Sequence, residues 1–110
     1  MGSAVRLSVA LILLCLPCMA QYETRSLAGT VTDKRGNTLP GAAVQLENSG
    51  TLAVMSRITD KAGGYRFNLL SSDTDYKLKA KYGRNWSRAR TLSKFSSSRH
   101  PRIDLVIPID

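Results

Sequence analysis

Gly29-Thr30-Val31-Thr32-Asp33-Lys34-Arg35-Gly36-Asn37-Thr38-Leu39-Pro40-Gly41-Ala42-Ala43-Val44-Gln45-Leu46 is the stretch whose reading decides the fold. Leu27, Gly29 and Val31 alternate with Ala28, Thr30 and Thr32, the period of a half-buried strand. Asp33 stands where its carboxylate can accept bonds from the backbone just beyond it, and Gly36 supplies the positive φ of a tight turn. Pro40 fixes φ immediately before Gly41, which turns the chain sharply into the next strand. There Ala42, Val44 and Leu46 alternate with Ala43, Gln45 and Glu47, one row for a core and one for solvent.

A second phrase of the same kind, Thr59-Asp60-Lys61-Ala62-Gly63-Gly64-Tyr65-Arg66-Phe67, lies downstream. A strand is expected over Val54–Thr59 before it. After its turn Tyr65, Phe67 and Leu69 should face inward and Arg66 and Asn68 outward. Tyr76, Leu78, Ala80 and Tyr82 form the next inward row, which places Lys77, Lys79 and Lys81 together on the opposite face. A sixth strand is expected from Trp86 to Lys94, and Ile103, Leu105 and Ile107 make the last inward row before Pro108 ends it. No helical period occurs in this part of the chain. The pattern predicts an all-β protein, a seven-stranded antiparallel β-sandwich.

The N-terminus reads differently. Arg6 precedes an apolar run from Leu7 to Leu16, Pro17 interrupts it, and Cys18-Met19-Ala20 ends in small residues suited to cleavage. The run is about ten residues, whereas a membrane span needs roughly 20. A signal-peptide helix over residues 1–20, cleaved after Ala20, is expected, followed by one domain over 21–110 and no transmembrane segment. Secreted or periplasmic localisation follows. Both cysteines, Cys15 and Cys18, fall in the leader, so the domain would depend on its apolar core without disulfides.

The two phrases, G-x-V-x-D-x-x-G-x-x-L-P-G-A-x-V-x-L and T-D-x-x-G-x-Y-x-F, resemble the carboxypeptidase regulatory-like domain. They are carried here by Gly29, Val31, Asp33, Gly36, Leu39, Pro40, Gly41, Ala42, Val44 and Leu46, then by Thr59, Asp60, Gly63, Tyr65 and Phe67. Tyr76-x-Leu78 fits that family's next strand, although Thr74-Asp75 replaces its usual Pro-Gly. The resemblance implies a transthyretin-like (prealbumin-like) sandwich of the stand-alone exported bacterial type. It also implies a module that is generally non-catalytic, with carbohydrate binding known among related sandwiches.

Catalytic chemistry finds little support in the residues. His100 is the single histidine, expected as a solvated loop side chain, and a zinc peptidase needs several converging ligands. No Gly-x-Ser-x-Gly phrase is present. The hydroxyisourate hydrolases, the enzyme branch of the transthyretin fold, resemble one another through several histidines and a terminal Tyr-Arg-Gly-Ser, whereas this chain ends Ile107-Pro108-Ile109-Asp110. Asp33, Asp60, Asp73 and Asp75 are explained as turn residues, and two aspartates in one turn fall short of a calcium loop. No cofactor, metal site or catalytic residue is predicted.

Charge marks one region for function. The 110-residue chain carries a formal net charge of +8. From Gln21 to Tyr76 six basic residues face six acidic ones, whereas from Lys77 to Arg102 there are nine basic residues and no acidic one. Like charges at alternate strand positions repel, so folding gains nothing from them; they serve solubility, guard a sheet edge or meet an anionic partner. Lys77, Lys79, Lys81, Arg84, Trp86, Arg88 and Arg90 are the candidate ligand-binding residues. Arginine offers bidentate contact to carboxylate or phosphate, and Trp86 a stacking surface. The candidate partners are an anionic polysaccharide, a lipid headgroup or an acidic protein, and nucleic acid is not expected for an exported chain. The alternative is a structural domain that assembles through its sheet edges.

Overall fold

The computed structural model describes residues 23–110, so the expected signal helix and its cleavage point lie outside the described residues. Eight strands follow in order: β1 (Thr24–Thr32), β2 (Ala43–Asn48), β3 (Val54–Ile58), β4 (Gly64–Ser71), β5 (Tyr76–Tyr82), β6 (Asn85–Trp86), β7 (Arg90–Leu92) and β8 (Leu105–Val106). They form two sheets, one ordered β4-β1-β8 and the other β3-β2-β5-β6 with β7 also paired to β5. The two sheets are the layers of the expected sandwich.

The alternating rows supply the core. Leu27, Val31, Tyr65, Phe67 and Leu70 come from the smaller sheet, and Val44, Leu46, Tyr76, Leu78 and Ala80 from the larger. Ile103, Leu105 and Ile107 close the side beside β1, and each of these side chains is at most 8% exposed. Gly29 sits in the inward row for want of room. A Cβ there would lie 1.8 Å from the Ile103 carbonyl oxygen and 2.7 Å from the Tyr65 hydroxyl. That hydroxyl donates to the Ile103 carbonyl and so ties β4 to the segment entering β8. Burial drives the Tyr65 phenol far above its ordinary range, and the nearby Asp104 charge adds to the effect.

The structure differs from the sequence expectation in several places. First, β8 runs parallel to β1 (Val31↔Leu105, Thr32↔Val106), so the smaller sheet is mixed, and the strands among the described residues number eight. Second, Leu69 is 82% exposed and Leu70 takes its place in the core. Arg25↔Leu70 and Leu27↔Phe67 pair, so two steps along β1 match three along β4, a bulge that reverses the facing of every later side chain. Third, the strand expected from Trp86 to Lys94 is split into β6 and β7 by a second bulge. Ser87 makes the break: its backbone N–H donates to Ala80 O, while its Oγ accepts from Ala80 N at 2.8 Å. Fourth, Tyr82 is 37% exposed, since it lies at the last position of β5 beside the Gly83-Arg84 turn, beyond the end of the core.

β1 also begins three residues earlier than expected and thereby buries Arg25, which is 4% exposed. Its guanidinium donates to Ser93 O (2.8 Å) and Thr74 O (2.7 Å) and lies 6.0 Å from the centre of the Tyr76 ring. The side chain thus holds together two polar loops at one end of the sandwich.

Candidate functional site: the outer face of the larger sheet

The site begins with the register of β2, β5 and β3. Lys77, Lys79 and Lys81 pair with Glu47, Gln45 and Ala43, and these three in turn pair with Val54, Ser56 and Ile58. Leu46, Leu78 and Ala80 point into the core, so all nine partners lie on the outer face. The short hairpin through Gly83 (φ 63) folds β6 back so that Trp86 pairs with Lys81. The Lys79 ammonium lies 4.5 Å and the Lys81 ammonium 5.3 Å from the centre of the Trp86 ring. Both cations are held at one indole, a geometry worth about 0.5–1 kcal/mol each at an exposed site. Beside them a hollow of about 160 Å³ is lined by Gln45, Glu47, Val54, Lys77, Lys79 and Ala89.

The seven candidate residues are not one surface. Lys77, Lys79, Lys81 and Trp86 share the outer face, and Arg84 occupies the exposed hairpin turn at its end. Arg88 and Arg90 are elsewhere. Lys81 pairs with Trp86 but Leu78 with Arg90, so three steps on β5 match four on the other strand. The bulge at Ser87 turns both arginines to the opposite side, where they line a groove with Asp104, Leu105, Val106 and Pro108. Among the described residues the two ion pairs are Arg99–Glu23 (3.7 Å) and Arg102–Asp104 (3.4 Å); the three lysines, Arg88 and Arg90 have no carboxylate within 4.0 Å.

Gln45 and Glu47 join the site although the sequence reading gave them no role. Alternation had placed them outward, but only the pairing of β2 with β5 brings them beside Lys79 and Lys77. Other candidates resolve into structure. Asp33 Oδ1 accepts from the backbone N–H of Arg35 and Asn37, and Asp60 Oδ1 accepts from those of Ala62 and Gly64, as turn residues do. Asp75 departs from the turn expectation: its Oδ1 accepts from Lys94 N across the loop at 2.6 Å. His100 is exposed, yet its Nδ1 meets Ser26 Oγ at 2.9 Å. No hydrogen bond reaches its Nε2 among the described residues, so the pair has no orienting third group. Among the described residues no three His, Cys, Asp or Glu side chains gather to hold a metal ion.

The two facing sheets, the sequential β2-β3 hairpin and the closing β8 define a transthyretin-like β-sandwich. Its sequence matches the carboxypeptidase regulatory-like domain over residues 26–106, and the chain belongs to that family. No curated protein matches the sequence. Among solved structures it is similar to the dioxygenase domain of a dioxygenase carbohydrate-binding protein fusion from Streptomyces sp. SirexAA-E (12% identity, TM-score 0.56, covering 84% of this chain and 85% of that one). It is also similar to a DUF3823 family protein from Parabacteroides merdae (20% identity, TM-score 0.58, covering 76% of this chain and 45% of that one). A third is BcpA, the major pilin subunit of Bacillus cereus (11% identity, TM-score 0.60, covering 77% of this chain and 30% of that one). The chain thus spans less than half of the latter two proteins. At these identities the likeness is one of fold.

Proposed function

We propose that the domain is an exported, non-catalytic binding module that holds an anionic cell-envelope polysaccharide on the outer face of its larger sheet. The observation that carries this reading is Trp86 with the ammonium groups of Lys79 and Lys81 at its ring and, among the described residues, no carboxylate within 4.0 Å of either. An indole face stacks on a sugar ring, and ammonium groups meet sugar carboxylates or phosphates. Gln45 and Glu47 add acceptors for hydroxyls along the same face, which favours a sugar chain over a lipid headgroup. The apolar N-terminal run and the fold shared with a pilin subunit support export.

Retention on an immobilised polyuronate tests the reading. The variant Lys79→Ser/Lys81→Ser/Trp86→Ala should elute at clearly lower salt than the parent, and Arg88→Ser/Arg90→Ser should elute close to it. Equal shifts in both variants would reduce the interaction to net charge.

A second reading, assembly through sheet edges, is favoured by β3. It is an edge strand in which all five residues, Val54, Met55 and Ile58 among them, are exposed, and its one charged guard is Arg57, which lies 5.4 Å from the centre of the Phe67 ring. Sedimentation that finds a monomer at all concentrations would remove it.

A further inference from the structure

The bulge at Ser87 sends Arg88 and Arg90 to the seam where the edge of the smaller sheet faces β7, and this seam has its own chemistry. β8 is the edge strand there. Its register with β1 makes Leu105 the inward-bonded residue, and the N–H groups of Ile103 and Ile107 donate to Ala28 O and Thr32 O, so the N–H groups of the odd-numbered residues point to β1. Val106 and Asp104 therefore turn their own backbone groups away from β1, and Arg90 Nη1 at 3.5 Å from Asp104 O places that free side in the groove. Val106 is 51% exposed.

The groove is positively charged. Arg88 and Arg90 have no carboxylate within 4.0 Å among the described residues. Asp104, the one acid in the lining, already accepts from Thr30 N (2.9 Å) and Thr30 Oγ1 (3.1 Å) and pairs with Arg102. We propose that this seam takes an extended acidic segment of a partner protein, added to β8 as a further strand with its carboxylates on Arg88 and Arg90. A strand repeats its facing every second residue, about 7 Å. Arginines two apart therefore match acids at alternate positions of the guest, whose intervening apolar residues would lie beside Val106. Backbone bonds to Val106 would supply affinity and the guanidinium groups specificity. The seam is separate from the outer face, so this proposal stands or falls apart from the polysaccharide reading.

A fluorescent, end-blocked peptide of alternating Glu and Val, about nine residues long, is the probe. It should bind the protein, protect the Val106 amide from exchange, and lose affinity about tenfold or more in Arg88→Ser/Arg90→Ser. Val106→Pro removes the outward donor and should weaken binding while leaving the ladder to β1 intact; where that variant does not fold, the amide protection carries the test. Lys79→Ser/Lys81→Ser should bind as the parent does. Equal binding of a peptide with prolines at its centre, absence of binding, loss of binding in the lysine variant, or displacement from the arginines by an equimolar polyuronate would each overturn the proposal.

Discussion

Thr59 is the residue where the two motif phrases meet. Its Oγ1 donates to Leu39 O (2.6 Å) and accepts from Ala42 N (2.8 Å), while its own N–H and C=O bond to Ala42 O and Gly41 N. Four bonds thus clamp the Leu-Pro-Gly-Ala corner to the start of the second phrase, in a position only 5% exposed. Thr59→Val keeps the shape and removes the hydroxyl, leaving a buried donor and a buried acceptor unpaired. A loss of about 1–3 kcal/mol follows for such a group, to be read from the denaturant midpoint, and Thr59→Ser should recover most of it. Asp33 contributes differently, through pH. Burial alone would raise its pKa, but hydrogen bonds from Asn37 and Arg35, with the Arg35 charge, outweigh burial and hold it below the ordinary 3.8. A lowered folded-state pKa means stability that is complete above the ordinary carboxylate value and is lost as pH falls below it toward the folded one. Asp33→Asn should therefore flatten the decline of stability with acid in that window, measured by urea unfolding at stepwise lower pH.

The strands repeat one device, a single inserted residue that reverses facing. In β4 the insertion exposes Leu69 at φ 58, a left-handed conformation unfavourable to leucine. Leu69→Gly removes that strain and buries nothing less, so thermal unfolding should move upward, by about 1 kcal/mol in stability; a fall would mean that Leu69 makes contacts its exposure does not reveal. Period-two alternation made the inward rows legible: Val44, Leu46, Phe67, Tyr76, Leu78, Leu105 and Ile107 all lie where the spacing put them. Alternation also placed Lys77, Lys79 and Lys81 together on the outer face. It cannot reveal a bulge, because Leu69 and Leu70 are equally apolar and the choice between them depends on pairing with Arg25 and Leu27. The same blindness joined Arg88 and Arg90 to the lysines, since the break rests on Ser87 Oγ replacing a backbone acceptor for Ala80. The parallel course of β8 was hidden too, for it is set by partners some 74 residues away.

At the scale of the whole molecule, five of the nine basic residues from Lys77 to Arg102 are divided between an outer face and a seam. Net charge alone would make any polyanion bind anywhere, weakly and with steep salt dependence. A built face makes a narrower demand: a ligand that binds only the folded state must raise its stability by an amount set by its concentration over the dissociation constant. At a hundredfold excess the gain is about 2.7 kcal/mol, and 1 kcal/mol moves the midpoint of a domain this size by about 4–8 °C. A polyuronate at low salt and about a hundredfold excess should therefore raise the unfolding temperature of the parent and of Arg88→Ser/Arg90→Ser by about 10–20 °C, and quench Trp86 fluorescence as it does. In Lys79→Ser/Lys81→Ser, which removes the same number of charges, the shift should collapse. Two variants of equal net charge that respond unequally can only differ in where the charge stands, and a common response would return the outer face to an ordinary solvated surface.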